Sequence, residues 1–244
     1  MRVLVKVEYI GTNYQGWQRQ VSAPSIEEKV EQVLSKILNE PIIIYGSGRT
    51  DAGVHAEGQH FHFDITKKVD VDLNLLKYSL NSLLPHDIRV ISLKEVSDDF
   101  HARKCAKKKI YEYRIHFGEC SVFDYPFCLE VKQGFDKELF NKALNLFIGT
   151  HDFKSFTSKE EDHDNFIRHI DDINHKKIDD IDVYTFIGPG FMRYMIRNLI
   201  GTAIACGSGK ISLEEIKNLL SSDKRNIVSY KADAKGLFLV DVLY

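Results

Sequence analysis

The chain of 244 residues is poor in cysteine, proline and tryptophan, with four, five and one of them. Its cysteines, Cys105, Cys120, Cys128 and Cys206, show no close pair and no zinc-type spacing. We therefore expect free thiols in a reducing compartment rather than a disulfide framework. No apolar run reaches the roughly 20 residues that cross a bilayer, and the start lacks a secretory leader pattern. These absences predict a cytoplasmic protein without a membrane segment.

The chain also lacks an excess of charge of one sign. Its 33 basic and 35 acidic residues give a formal net charge of −2. Any nucleic-acid site must therefore be a local basic patch. With 43% hydrophobic residues, the chain should be globular, and its length allows one large domain or two small ones.

Glycine is concentrated in one stretch, residues 46–58, which holds four of the fifteen glycines and which we call the glycine loop. The apolar residues 42–45 before it predict a buried strand, and the alternating residues 59–65 after it predict a half-buried strand. The polar residues of the loop are Arg49, Thr50, Asp51, His55 and Glu57. Polar loops on a rigid sheet commonly carry chemistry. The ordinary alternative is that the Asp-Ala-Gly segment only makes a turn.

Two familiar ligand motifs do not fit the glycine loop. A phosphate-binding P-loop needs Lys and then Ser or Thr after its last glycine, whereas Gly53 precedes Val54 and His55. A dinucleotide fingerprint opens a helix, whereas this loop leads into a strand. A metal-dependent hydrolase that uses His55, His60 and His62 is an alternative, with the last two expected on a solvated strand face.

Periodicity predicts an α+β fold of two ferredoxin-like (βαββαβ) halves with antiparallel sheets. Residues 1–104 form the half that carries the glycine loop, and residues 105–244 form the second half. The elements predicted for the first half are a strand over 2–10, a helix opened by a Ser25–Glu28 capping box, the strands flanking the glycine loop, a helix from Asp72 that buries Leu73, Leu76, Leu80 and Leu83, and a strand over 88–96.

The second half repeats this order without sequence repetition. Its predicted elements are a strand over 107–116, a helix capped by Asp136, strands over 167–173 and 183–187, a helix over 191–205, a short helix opened by a Ser212–Glu215 capping box, and a strand over 237–243. The acidic residues 158–165 predict an exposed loop.

Six positive charges fall within twelve residues at the start of the second half, and only Glu112 opposes them. They are Arg103, Lys104, Lys107, Lys108, Lys109 and Arg114. Tyr111 and Tyr113 interleave with them on the predicted strand, a pattern that suits unstacked bases and phosphates. The alternatives are a plain solvated face or a non-catalytic RNA-binding module. A second basic pair, Arg193 and Arg197, should share a helix face; a charge in that apolar stretch needs a partner if it is buried.

Several colinear segments make the chain resemble the bacterial tRNA pseudouridine synthases of the TruA family from Tyr9 to the last residue. The matching segments are Gly11-Thr12-x-Tyr14-x-Gly16-Trp17-Gln18-x-Gln20, Gly48-Arg49-Thr50-Asp51-Ala52-Gly53-Val54-His55-Ala56, Leu80-Asn81-x-x-Leu84-Pro85-x-Asp87-Ile88, Phe100-His101-Ala102-Arg103, Tyr111-x-Tyr113, Gly149-x-His151-Asp152-Phe153-x-x-Phe156, Met195-Ile196-Arg197 with Gly201, and Gly236-Leu237-x-Leu239-x-x-Val242-x-Tyr244.

The resemblance implies an isomerase that detaches uracil from its ribose and rejoins it through C5. It implies that Asp51 is the catalytic carboxylate and that Arg197 pairs with it, which would keep the Asp pKa low. It further implies that Tyr111 stacks on the target base, that Arg49 holds the flipped nucleotide, and that Leu237 lines the pocket. No cofactor or metal is implied.

The implied substrate is the anticodon stem-loop of tRNA, at uridines 38, 39 and 40, bound by a homodimer. From their charge alone, we expect Lys107, Lys108 and Lys109 to contact phosphates. The sequence departs from the family pattern at Ile10, Met192 and Asp233. None of these is one of the implied chemical positions, so activity is still expected, but a paralogue with altered RNA targets remains open.

Overall fold

The computed structural model describes residues 1–67, 71–132, 134–158 and 165–244. These residues form two compact units, one made of Met1–Lys109 with Phe238–Tyr244 and the other of Ile110–Leu237. Both units combine helices with mainly antiparallel strands, which confirms the α+β class. The functional division at residue 104 stays a prediction. Nowhere in the described ranges is a helix both long enough and apolar enough to cross a membrane.

The described chain contains strands and α-helices, with short 3-10 turns between some of them. They are β1 (Arg2–Tyr9), α1 (Ile26–Leu38), β2 (Tyr45–Gly46), β3 (His55–Asp64), α2 (Leu73–Leu83), β4 (Ile88–Val96), β5 (Lys108–Phe117), β6 (Leu129–Val131), α3 (Lys137–Asn145), β7 (Gly149–Asp152), β8 (Ile167–Ile170), β9 (Asp172–Ile178), β10 (Ile181–Gly188), α4 (Met195–Gly207), α5 (Leu213–Ser221) and β11 (Leu237–Leu243).

The sheet of the first unit is built around β3. Strand β1 lies antiparallel between β4 and β3, and the short β2 pairs antiparallel with the other edge of β3. Strand β11 pairs parallel with the start of β3, Phe238 with His55 and Leu239 with Ala56. The strand–helix–strand–strand–helix–strand order of residues 2–96 is the predicted one, and the ferredoxin-like description of the halves stays a prediction.

Local sequence signals set the helix starts, as predicted. The Ser25 hydroxyl accepts a hydrogen bond from the Glu28 amide at the start of α1. The Asp72 carboxylate caps α2, and the Asp136 carboxylate caps α3. Each of these side chains satisfies an amide that the first helical turn leaves without a partner.

Two predictions in the first unit were wrong in detail. Residues 42–45 are not a buried strand: only Tyr45 and the following glycine pair with β3, and Ile43 and Tyr45 are exposed. The reason is that this segment comes within pairing distance of β3 only at its last residue, Tyr45. Leu83 is exposed and Leu84 is buried instead, because α2 ends at Leu83 and the extended backbone of Leu84 turns its side chain inward.

The second unit contains two sheets. In the larger one, β10 lies between β5 and β9, and β6 runs parallel to β5. Strands β7 and β8 form a separate antiparallel pair. Helix α4 is buried along most of its length, and the capping box at Ser212 opens α5 with both of its hydrogen bonds.

Predictions for the second unit needed three corrections. The strand expected over 167–173 is interrupted at Asp171, because its first part pairs with β7 and its second part with β10. The helix expected from Phe191 begins at Met195, because Tyr194 has a left-handed backbone with φ of 62°. Strands β6 and β7 were not predicted. Residues 159–164 of the acidic segment lie outside the described residues.

The four cysteines are free thiols, as predicted, but two of them lie close together in the fold. The Sγ atoms of Cys120 and Cys128 lie 3.1 Å apart, although both thiols are free. Strand β6 runs parallel to β5, with Leu129 opposite Ile115. The connection between the two strands therefore turns back along the end of β5. This pairing of neighbouring strands brings together thiols that are eight positions apart in the sequence.

Candidate functional site

The glycine loop is held at Thr50, the residue immediately before Asp51. The Thr50 hydroxyl and the Tyr9 hydroxyl are 2.8 Å apart, and the Trp17 amide donates to the Thr50 carbonyl at 3.1 Å. Thr50, Tyr9 and Trp17 are all buried. Two hydrogen bonds shielded from water therefore fix the backbone next to the predicted catalytic carboxylate.

The start of the glycine loop has a second anchor. The Ser47 hydroxyl donates to the Gln59 side-chain oxygen at 2.7 Å, and the Gln59 amide nitrogen donates to the Gly48 carbonyl at 3.0 Å. The Lys109 ammonium donates to the Ser47 carbonyl at 2.8 Å. A β-carbon at Gly48 would lie 2.5 Å from this ammonium, so glycine is what allows the lysine to approach.

Burial of the Lys109 ammonium has an electrostatic consequence. Desolvation, helped by the charge of Arg103, lowers the pKa of Lys109 from 10.5 to about 8. Burial disfavours the charged form of a lysine because the ammonium loses its hydration. The chain therefore places a titratable cation directly beneath the glycine loop.

A segment of the first unit packs closely against the loop backbone. Gly16 has a φ of 90°, and a β-carbon there would lie 2.5 Å from the Thr50 carbonyl oxygen. Gly46 lies against the Trp17 indole in the same way. Gly16 thus allows a contact between backbones, and Gly46 a contact between backbone and indole, that a larger residue would prevent.

Asp51 stands at the turn of the loop and is half-buried. The Val54 amide donates to the Asp51 carbonyl at 3.1 Å, and the Gly53 amide donates to the Tyr14 carbonyl at 3.3 Å. The turn reading of this segment is therefore correct, and the turn also presents a carboxylate. Arg49 is exposed, and its guanidinium donates to the Gln18 side-chain oxygen at 3.3 Å.

The histidines of β3 are not on a solvated face, contrary to expectation. His60 packs edge-on against Tyr244, and His62 stacks on Tyr45 at 5.1 Å, so both are buried. Burial, followed by the neighbouring His101, lowers the pKa of His62 to about 4, so it is neutral at physiological pH.

The three histidines of the metal-hydrolase alternative have backbone partners. His55 Nδ1 accepts from the Gly11 amide at 3.2 Å, and His62 Nδ1 accepts from the Ala102 amide at 3.2 Å. His60 Nδ1 lies 3.1 Å from the carbonyl oxygen of residue 58. Within the described ranges, no three His, Cys, Asp or Glu side chains group as metal ligands.

In the second unit, two tyrosines of β5, Tyr111 and Tyr113, are each held by a contact with another segment. The buried ring of Tyr111 meets the Phe191 ring edge-on at 5.4 Å between centroids. Two residues on, the Tyr113 hydroxyl donates to the Asp233 carbonyl at 2.7 Å. A β-carbon at Gly236 would lie 2.9 Å from the Tyr113 ring, so the chain leading to Leu237 runs tightly along β5.

Arg197 is tied to the same segment from helix α4. Its Nε donates to the Ala232 carbonyl at 2.8 Å, and the Ala232 amide donates back to the Arg197 carbonyl at 3.0 Å. The guanidinium also lies 5.5 Å from the centroid of the Tyr194 ring. The prediction that Arg193 and Arg197 share a helix face was wrong, because Arg193 precedes the helix.

Two of the six basic residues between positions 103 and 114 bind other groups of the chain. Arg114 forms an ion pair at 3.2 Å with the buried Glu112, which also binds Lys176 at 2.9 Å. Lys109 binds the glycine loop. The remaining four cations are exposed: Arg103, Lys104, Lys107 and Lys108.

Sequence reasoning missed the residues that support the site. The sequence pattern places Tyr9 and Gln59 only within strands, and the charge of Lys109 predicts only a phosphate contact. Their partners lie 41, 12 and 62 positions away. A buried polar side chain needs a hydrogen-bond partner, but its strand pattern does not say which one.

The sequence matches to known proteins agree on one family. A profile of the family described as tRNA pseudouridine synthase matches residues 5–103 and 143–244. The tRNA pseudouridine synthase A of Thermodesulfovibrio yellowstonii is 40% identical over the full length of both chains. That of Streptococcus pyogenes is 35% identical over all of this chain and 99% of its own. A chain of a solved Cbf5-Nop10-Gar1 complex is 11% identical, with a TM-score of 0.35 over 83% of this chain and 54% of that one.

The packing of Gly16 against Thr50 predicts a specific defect. Gly16→Ala should destabilise the protein by more than the roughly 1–2 kcal/mol of a left-handed alanine, because its β-carbon also meets the Thr50 carbonyl. Gly118→Ala is the matched control, since Gly118 has a φ of 113° and nothing within 4 Å of an added β-carbon. Denaturant unfolding of both variants measures the difference. Equal losses would show that the close approach has no cost.

The depressed pKa of Lys109 predicts a pH-dependent stability. Between about pH 8 and 10.5 the unfolded chain binds the proton more tightly, so this lysine's contribution to stability rises with pH across that window. From pH 7 to pH 10, the wild type should gain up to about 3 kcal/mol relative to Lys109→Met, since a tenfold change in proton affinity is about 1.4 kcal/mol. The wild type should show no such gain relative to Lys108→Met, a control variant at an exposed position that keeps Lys109. A constant wild-type-to-Lys109→Met difference would contradict the burial of the charge.

Proposed function

The chain belongs to the tRNA pseudouridine synthase family, and from this premise we propose that it modifies uridines 38, 39 and 40 in the anticodon stem-loop. It is an isomerase that converts uridine in tRNA to pseudouridine. The reaction breaks the bond between N1 of uracil and C1′ of ribose, rotates the base, and forms a bond from C5 to C1′. The C5 proton is lost to solvent and N1 takes up a proton, so the composition of the nucleoside does not change.

Asp51 is the residue that we propose does this chemistry. A carboxylate can attack the nucleoside or remove a ribose proton, and both roles need the ionised form. The observation that carries the proposal is the position of Asp51 next to the doubly anchored Thr50, within a loop that two further side chains hold at its start. A fixed carboxylate needs little reorganisation when the substrate arrives.

The other roles follow from the family. We propose that Tyr111 stacks on the extruded uracil, that Leu237 lines its pocket, and that Arg49 helps hold the flipped nucleotide out of the helix. Buried Tyr111 and Leu237 and exposed Arg49 have the exposure that these roles require. A target base must leave the stack because C5 and C1′ cannot be reached inside a stem.

Arg197 is proposed to keep the catalytic carboxylate ionised. A positive charge near a carboxyl group lowers its pKa, which burial alone would raise. The Arg197 backbone and Nε are already fixed on Ala232, so the orientation of the side chain is set before substrate binds.

The phosphate contacts are proposed for Lys107 and Lys108. Both are exposed, whereas the predicted phosphate contact of Lys109 would compete with its bond to Ser47. We further propose that the enzyme is cytoplasmic and works as a homodimer, one tRNA contacting both subunits. Light scattering of the purified chain, with and without tRNA, measures whether it is a dimer.

Replacing the catalytic carboxylate tests the assignment. Asp51→Asn keeps the shape and removes the charge, so isomerisation should fall by at least about 10²- to 10⁴-fold while tRNA binding is retained. The assay is release of tritium from C5-labelled uridine in undermodified tRNA. Asp180→Asn, on an exposed turn, is the control and should keep full activity. Release at the wild-type rate from Asp51→Asn would exclude Asp51 as the catalytic group.

The exposed lysines give a prediction about salt. Replacing Lys107 and Lys108 together with Ala should weaken tRNA binding and reduce the slope of log affinity against log salt by up to about 0.9 per lost phosphate contact. The matched control replaces Lys94 and Lys210, exposed lysines on other parts of the chain. If both double variants keep the wild-type slope, Lys107 and Lys108 form only a solvated face.

The role of Arg197 predicts a change in the pH profile. Without its charge the carboxylate should be harder to ionise, so Arg197→Met should move the acidic limb of the rate profile up by about one to three pH units. Arg193→Met is the control, because Arg193 is exposed and precedes the same helix. A lower rate with an unmoved limb would mean that Arg197 acts on substrate rather than on the carboxylate.

A further inference from the structure

Two cysteines that the isomerisation does not use come together at the connection from β5 to β6. The Sγ atoms of Cys120 and Cys128 lie 3.1 Å apart at the two ends of residues 120–128, which we call the thiol loop. The Cys120 amide donates to the Glu130 carboxylate at 2.9 Å, so the first end of the loop is tied to β6.

The two sulfurs need little movement to bond. A disulfide has an S–S distance of about 2.0 Å, so the sulfurs must approach by about 1 Å. Their separation already requires both side chains to be turned toward each other. The backbone on either side is held by the parallel pairing of β5 with β6.

The two thiols differ in access. Cys120 is partly exposed and Cys128 is fully buried. Burial, followed by the hydrogen bond and charge of Cys120, raises the pKa of Cys128 to about 12. Because the thiolate is the nucleophile, an oxidant in solution meets Cys120 first, and Cys128 reacts only with a sulfur placed beside it.

We propose that Cys120 and Cys128 form a reversible dithiol–disulfide site that exchanges with small disulfides of the glutathione type. The Cys120 thiolate attacks the small disulfide, forms a mixed disulfide and releases one small thiolate. Cys128 then gives its proton to solvent or to that thiolate, attacks Cys120 Sγ and releases the second small thiol. Two protein thiols are oxidised to one disulfide, and one small disulfide is reduced to two thiols.

The thiol loop adjoins the segment that carries Leu237. The Lys235 ammonium lies 3.1 Å from the centroid of the Tyr125 ring, which links the loop to the turn Ala234–Gly236. Closing the disulfide restrains the loop next to this turn. The relevance of that restraint to the uracil pocket rests on the proposed function, whereas the disulfide itself does not.

The test is thiol mapping of the full chain. The reduced protein is incubated with glutathione disulfide, unreacted thiols are alkylated, and the peptides are identified by mass. We expect Cys120 joined to Cys128, reversal by dithiothreitol, and alkylated Cys105 and Cys206. Cys128→Ser, or Cys128→Ala if it folds better, should stop at a glutathione adduct on Cys120. Cys120→Ser should leave Cys128 reduced, and Cys105→Ser should behave as the wild type.

Two results would overturn the proposal. One is a wild-type chain in which both Cys120 and Cys128 remain alkylatable at an oxidant concentration that modifies the exposed Cys105. The other is a disulfide that joins either residue to a different cysteine. Both results are read from peptides and not from activity, so they are separate from any failure of the Asp51 assignment.

Discussion

The site depends on the buried contact between the Tyr9 hydroxyl and Thr50. Burial raises the pKa of Tyr9 far above its usual range, so its hydroxyl stays neutral at any working pH. Together with the Trp17 amide, it leaves the residue beside Asp51 no freedom to rotate. A strand at the start of the chain thus helps to fix the position of a carboxylate that lies far along the sequence.

The second unit uses one segment for a comparable purpose. Residues 230–237 are held by the Tyr113 hydroxyl, by Arg197, and by the close approach of their backbone to Gly201 and of their own Gly236 to β5. This segment therefore orients the arginine and delivers the apolar residue at its end. Arg197 and Leu237 are far apart in the sequence, yet the same stretch of backbone positions both of them.

The sequence allowed prediction of the features that neighbours along the chain determine. The hydroxyl cap at Ser25, the alternation in β1 and the identity of Asp51 all rest on local patterns or on a matching motif. Burial of His62 and the inward turn of Lys109 were not predictable, because distant segments cover them. A strand pattern distinguishes two faces, but whether the polar face meets water depends on what else packs there.

The position of Trp17 has a practical consequence. It is the only tryptophan of the chain, it is 2% exposed, and its amide is bonded to the glycine loop. Light absorbed beyond the tyrosine band therefore excites a single indole, which packs against Gly46 at the start of the loop and against Tyr9 and Phe61 of the neighbouring strands. The emission of the unmodified enzyme is a built-in optical probe of the surroundings of its proposed catalytic carboxylate, and it needs no label and no substitution.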